Sequence, residues 1–141
     1  MKNNCVSIEV AKELYELGWR RVGIFVYDNE EKTENIQGNQ YFKGEYKLKE
    51  LRDIKRMHED IIPAPQLHEI LDLLPYIIKK DDGAKYSFYY LHMDEEMDKR
   101  YRFVYENIIY GLFGRSDWNE NPHDAAAKLL IWCIKNKFVT L

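Results

Sequence analysis

Four histidines, each close to an acid, are the residues of this chain best suited to chemistry. His58 precedes Glu59, His68 precedes Glu69, His92 stands two residues before Asp94, and His123 precedes Asp124. Imidazole and carboxylate together can ligate a metal or form a general acid–base couple, provided the fold gathers them at one place. No HExxH helix, EF-hand loop or pair of histidines one helical turn apart accompanies them. The chain has 24 acidic residues, so composition alone sets acids beside histidines. His68 and Asp72 lie four apart on the polar side of a helix, where a surface ion pair accounts for them. The four pairs therefore assign no catalytic and no metal-ligating residue.

Nucleophiles are equally unassigned. Cys5 precedes a helix, whose N-terminus can lower a thiol pKa, but no partner histidine is identifiable. Cys133 lies inside an apolar helical run, and two free, packed thiols are the simpler reading. There is no Cys-x-x-Cys, no G-x-S-x-G elbow, no P-loop and no dinucleotide fingerprint, so no cofactor is implied. Gly111 and Gly114 make a lone G-x-x-G with only Arg115 as basic company.

Binding chemistry is better represented. Tyr86, Phe88 and Tyr90 alternate along one segment, and Tyr101, Phe103 and Tyr105 along another, with Lys99, Arg100 and Arg102 nearby. Aromatic rings on a sheet with basic neighbours can stack single-stranded bases. The RNA-recognition signature is missing, and the acidic residues Asp94, Glu95, Glu96 and Asp98 oppose phosphate. The plainer expectation is that this aromatic face is core, covered by helices. The residues expected on a binding surface are Tyr41, Phe42, Tyr89, Arg100, Arg102 and Ile131.

These residues must be positioned by recognisable elements. Ser7 caps and Gly18 stops a first helix, with Val10, Ala11, Leu14 and Leu17 on its buried side. Residues 22–27 read as a strand apolar on both faces, hence central. Residues 28–45 read as a long polar, mobile loop or an undefined hairpin, with Tyr41 and Phe42 as its large apolar anchors. Leu48, Leu51, Ile54 and Met57 suggest a short helix over residues 47–58 with a basic outer face. Pro65 is placed as the first residue of a second helix that buries Leu67, Ile70, Leu71 and Leu74 and closes at Pro75. Residues 76–79, 86–93 and 101–105 read as strands, with Asp82 and Gly83 as a hairpin turn and residues 108–113 as a fourth strand or a bridge.

The last helix is signalled most clearly. Asn121 is its N-cap, Pro122 its first residue and Asp124 its third, and the run that follows is apolar on nearly every side. Ile131 interrupts the polar stripe of Asp124, Lys128 and Lys135, so it marks either a second internal contact or a subunit contact.

The bulk numbers agree with one ordinary domain. The 141 residues are 45% hydrophobic and 32% charged, which suffices for a core without staples. The net charge of −3 argues against broad nucleic-acid binding but leaves room for a local basic patch. No signal-peptide pattern opens the chain, and no apolar run approaches the roughly 18 residues of a membrane span. A cytoplasmic protein with no membrane partner is expected.

Three pieces occur in a telling order: the opening Cys5 to Trp19, the Pro63–Ala64–Pro65 helix start, and the Asn121–Pro122–His123–Asp124 helix. Together they resemble a loose group of small uncharacterised proteins of bacteriophages and integrated elements in Bacteroidetes-type gut bacteria. The resemblance implies a fold and a genomic setting, and it carries over no catalytic residue. The expected fold class is α+β, an antiparallel sheet of about four strands packed against three main helices, as a single domain spanning residues 1–141. The expected function is a non-enzymatic protein-interaction or accessory module with a protein partner and room for a homo-oligomer. Two alternatives stand beside it: a metal-dependent hydrolase or nuclease-like enzyme using the His–acid pairs, and a single-stranded nucleic-acid binder through the aromatic sheet face.

Overall fold

The capped apolar helix near the C-terminus is the element on which the fold is assembled. The computed structural model describes residues 4–29, 32–34, 40–42, 45–54, 57, 60–95 and 98–141, with the backbone alone for 32–34, 40–42, 93–95 and 98. In chain order the elements are α1 (Ile8–Glu16), β1 (Phe25–Asp28), β2 (Lys32–Glu34), β3 (Gln40–Phe42), β4 (Lys47–Glu50), a 3-10 turn (Leu51–Asp53), β5 (Ile61–Pro63), α2 (Leu67–Leu71), β6 (Ile77–Lys79), β7 (Lys85–Glu95), β8 (Asp98–Asn107), β9 (Gly111–Arg115) and α3 (Pro122–Lys135). Three sheets result, all antiparallel: β4-β1-β5, the ribbon β2-β3, and β6-β7-β8-β9. The fold class is α+β, with the four-stranded sheet packed on helices.

α3 forms where its start signals lie. The Asn121 side chain accepts from the backbone N–H groups of His123 (2.9 Å) and Asp124 (3.3 Å), and Pro122 occupies a position that needs no donor. Ala125, Ala126, Ala127, Leu129, Leu130, Ile131 and Cys133 are all buried, because α3 meets β8 and β9 as well as α1 and α2. Each fully buried Leu here stabilises the fold by about 1.5–3 kcal/mol. Gly114 of β9 permits the close approach: a Cβ there would stand 2.5 Å from the Trp132 ring. Trp132 in turn stacks on Phe138 and meets Phe113 edge-on at 5.2 Å between ring centres.

Several expectations are corrected by pairing. The first strand begins at Phe25, not Val22, and Val22 and Ile24 are exposed. Its neighbours stop there, as β4 passes into the 3-10 turn and β5 ends at Pro63, opposite Val26. The basic helix over residues 47–58 is absent from its first half. Lys47–Glu50 is strand, because pairing with β1 satisfies its backbone and a three-residue apolar spacing drifts off any one helix face. Lys49 then reaches the buried Asp28 at 2.8 Å. The second helix starts at Leu67 with Gln66 as N-cap, not at Pro65, since the Glu69 carboxylate accepts from the Gln66 N–H at 2.8 Å. Within residues 28–45, Thr33 pairs with Tyr41 in the β2-β3 ribbon, as the hairpin reading has it. Asp28 and Asn29, which open that segment, are buried, Asp28 as the last residue of β1; residues 30–31, 35–39 and 43–44, and the side chains of Tyr41 and Phe42, lie outside the described residues.

Candidate functional site

The polar residues near the helix starts come together first. Val6 N–H donates to the Pro65 carbonyl (3.0 Å), Ser7 N–H to Asp124 Oδ1 (2.7 Å) and Leu67 N–H to His123 Nδ1 (2.8 Å). Asn121 Nδ2 donates to the Cys5 carbonyl at 3.0 Å, and Tyr27 Oη to the Val6 carbonyl at 2.8 Å. The N-termini of α1, α2 and α3 thus meet, and side chains of one segment satisfy the N–H groups that another leaves unbonded. A groove of about 450 Å³ opens beside this junction, lined by Cys5, Ser7, Glu9, Tyr27, Asn119, Glu120 and Asp124 among others.

The groups in the groove are not activated. Burial pushes the Cys5 thiol up to about 11, and likewise that of Cys133 to about 11, so both are protonated at neutral pH. Burial also raises the Tyr27 phenol and the Asp124 carboxyl, the latter despite the bonds it accepts from Ser7. Asp124 acts as a structural acceptor here.

The His–acid pairs do not gather. His123 and Asp124 diverge to Leu67 and Ser7, Glu69 closes the α2 cap, and His68 and Asp72 are exposed. His92 stacks with Tyr90 (6.2 Å) and with Tyr101 (5.2 Å) on the β7-β8 hairpin. His58, Glu59 and the Asp94 side chain lie outside the described residues. Among the described residues, no three His, Cys, Asp or Glu side chains are close enough to share a metal ion.

The four-stranded sheet separates the expected binding residues by face. Its inner face carries Tyr86, Phe88, Phe103 and Tyr105, which belong to the core, with Phe88 and Phe103 stacked at 5.7 Å. Tyr105 donates its hydroxyl to the Pro75 carbonyl at 2.7 Å and lies beside Trp132. The aromatic face is therefore core over most of its length, emerging only at Tyr90, His92 and Tyr101. Ile131, placed among the binding-surface residues and read as either a second internal contact or a subunit contact, is 4% exposed and sits in the same core, which is the internal alternative. Its break in the polar stripe is filled from within this chain, because helices and sheet surround α3.

The outer face carries the other parity. Tyr89 pairs with Val104, Leu91 with Arg102 and Met93 with Arg100, so Tyr89, Arg100 and Arg102 share one surface. Tyr89 is 46% exposed and Leu91 38%. Lower on the sheet, Ile77, Ser87, Glu106 and Leu112 form one row across all four strands, and both Ile77 and Leu112 are exposed. The Arg102 guanidinium lies 4.8 Å over the Trp118 ring, and its Nε has no hydrogen-bond partner. Lys79 stands directly opposite Lys85, a like-charge pair on the surface, and Arg115 opposite Val104. Beyond the row, Ile108 (96% exposed), Ile109 and Tyr110 form the β8-β9 turn, held by Asn107 Oδ1 accepting from the Ile109 and Tyr110 N–H groups.

Ile77, Leu91, Leu112, Trp118, Lys79, Lys85 and Arg115 were not singled out from the sequence. One signal was available: β7 is apolar at both parities, which marks a strand with business on both faces. Among the described residues, no helix is long and apolar enough to cross a membrane. No protein-family profile matches the chain, and no curated protein or solved structure matches it either.

Proposed function

We propose that the chain is a non-enzymatic interaction or accessory module that docks a protein partner on the outer face of its four-stranded sheet. The carrying observation is the asymmetry of that sheet. Its inner face is core over most of its length and open only near Tyr90 and His92, while its outer face keeps Ile77, Tyr89, Leu91 and Leu112 exposed, with Ile108, Ile109 and Tyr110 at its end. Large apolar groups rimmed by polar ones mark interaction surfaces more often than plain solvent-facing sheet. The basic rim of Lys79, Lys85, Arg100, Arg102 and Arg115, against the single acid Glu106 in the described part of this face, favours an acidic partner surface. The reading places the protein in the cytoplasm and, following the resemblance, in a phage or mobile element.

The test is capture of partners from host extract by the immobilised chain and by a Tyr89→Glu, Leu91→Glu, Leu112→Glu variant. A partner held by the wild type and by Asp72→Lys but lost by the triple variant supports the reading. Retention of every partner by the triple variant overturns it. A second reading draws on the same face, where Tyr89, Trp118 and the five basic residues could meet single-stranded nucleic acid. Binding of a mixed-sequence oligonucleotide that weakens steeply with salt would favour it. The hydrolase reading has no such support among the described residues.

A further inference from the structure

The strand β7 has two edges, and they differ. One is paired with β8 from Ser87 to Glu95. The other is paired with β6 only from Lys85 to Ser87, followed by one bond from the Phe88 N–H to the Tyr76 carbonyl at 2.9 Å. Among the described residues, no strand lies beside this edge beyond Phe88.

Backbone groups alternate sides along a strand, so the parity of the open edge can be read directly. Ala84 and Phe88 bond toward β6, which turns the N–H and C=O groups of Tyr90 and His92 outward on the same side. Those of Tyr89 and Leu91 point to β8. The segment Phe88–Tyr89–Tyr90–Leu91–His92 contains no proline, no lysine and no acid, and the register with β8 runs through it without a bulge. Proteins ordinarily protect a bare edge with one of those devices.

We infer that this edge is the contact between two copies of the chain, β7 pairing antiparallel with β7 of a second molecule about a two-fold axis at Leu91. The pairing joins Tyr90 of each copy to His92 of the other, the two residues whose backbone groups face outward. It places Leu91 against its own counterpart. A two-fold contact sets like beside like, so it excludes charge near its axis, and this strip is free of fixed charge. The Arg100 and Arg102 side chains stand one strand back, on β8. The rings that would meet are already ordered: Tyr90 is stacked with Tyr101 at 6.1 Å and with His92. An edge strip of five residues is smaller than the roughly 1,200 Å² of a standard interface, so the association is weak and concentration-dependent. The inference rests on the edge, not on the outer face, and stands independently of the proposed partner.

The experiment combines mass and hydrogen exchange on the full chain. Sedimentation velocity over a wide concentration range is expected to move from 17.0 kDa toward twice that mass. At a total concentration tenfold above the dissociation constant, exchange of the Tyr90 and His92 amides is expected to slow by about fivefold, with the Tyr89 and Leu91 amides unchanged. Leu91→Lys is expected to abolish both effects while leaving the melting temperature in place. A chain that stays at 17.0 kDa at the highest concentration overturns the inference. So does a dimer in which Tyr90 and His92 exchange at the monomer rate, whatever Leu91→Lys does. The exchange measurement on the wild-type chain keeps the test decisive should that variant fail to fold.

Discussion

Around Asn121 the polar side chains turn inward and are held by backbone from other segments, whereas on the outer face of the four-stranded sheet large apolar and basic side chains turn toward solvent. Both regions contain the residue types that chemistry uses. At the junction Asp124, His123 and Asn121 serve three helix starts, and the groups nearest the groove are held in their neutral, unreactive direction by burial. On the sheet, Tyr89, Leu91 and Leu112 are left exposed, although Val104 opposite Tyr89 is buried. A buried polar group without a partner costs about 1–3 kcal/mol, so an interior network completes itself, while exposed apolar surface carries a smaller penalty and can await a partner.

Substitutions can break this contrast. The largest effect is expected from Gly114→Val, which would drive a side chain into Trp132 and part α3 from the sheet, costing about 3 kcal/mol in urea denaturation. Asn121→Ala removes the acceptor for two α3 N–H groups and the donor to Cys5, and should cost about 2 kcal/mol by the same measurement. Asp124→Asn keeps an acceptor for the Ser7 N–H and should change stability by about 1 kcal/mol or less.

Its pH dependence is the sharper readout. Burial raises the Asp124 carboxyl above its ordinary value of 3.8, so the folded chain holds this proton more tightly than the unfolded chain. The stabilising contribution is complete below the ordinary value and is lost as pH rises through the raised one. The Asn variant should therefore gain on the wild type as pH rises from about 3 to about 7, seen in paired urea titrations. The smallest effect belongs to the other region. Tyr89→Ser and Leu112→Ser should shift stability by no more than about 0.5 kcal/mol each. Losses of about 2 kcal/mol there would show that the outer face is packed, and the contrast would fail.

Much of the frame was legible because it rests on local rules. The Asn121–Pro122–Asp124 start, the Gly18 stop of α1 and the Asp82–Gly83 turn between β6 and β7 each depend on a few adjacent residues, whereas Ser7 stands at the α1 N-cap without a side-chain cap bond, its N–H held by the distant Asp124. The errors fell where a distant partner decides. Lys47–Glu50 became strand only because β1 lies beside it, and β1 itself stops where β4 and β5 stop. Ile131 illustrates the same limit at the candidate surface. One helix's periodicity places it on a polar stripe, but what covers that stripe is set by segments far away in sequence.

The sequence by itself determined the start of α3, the alternation of the long hairpin and the α+β class, since the Asn121 cap and the side-chain period are properties of neighbours along the chain. The tertiary structure alone decided how far the core face of β7 extends. Tyr86 and Phe88 lie in the core, while Tyr90, on the same parity, is 49% exposed. Cover at each point of a strand is set by distant segments, and Gly114 lets Trp132 of α3 approach the sheet closely where that cover is complete.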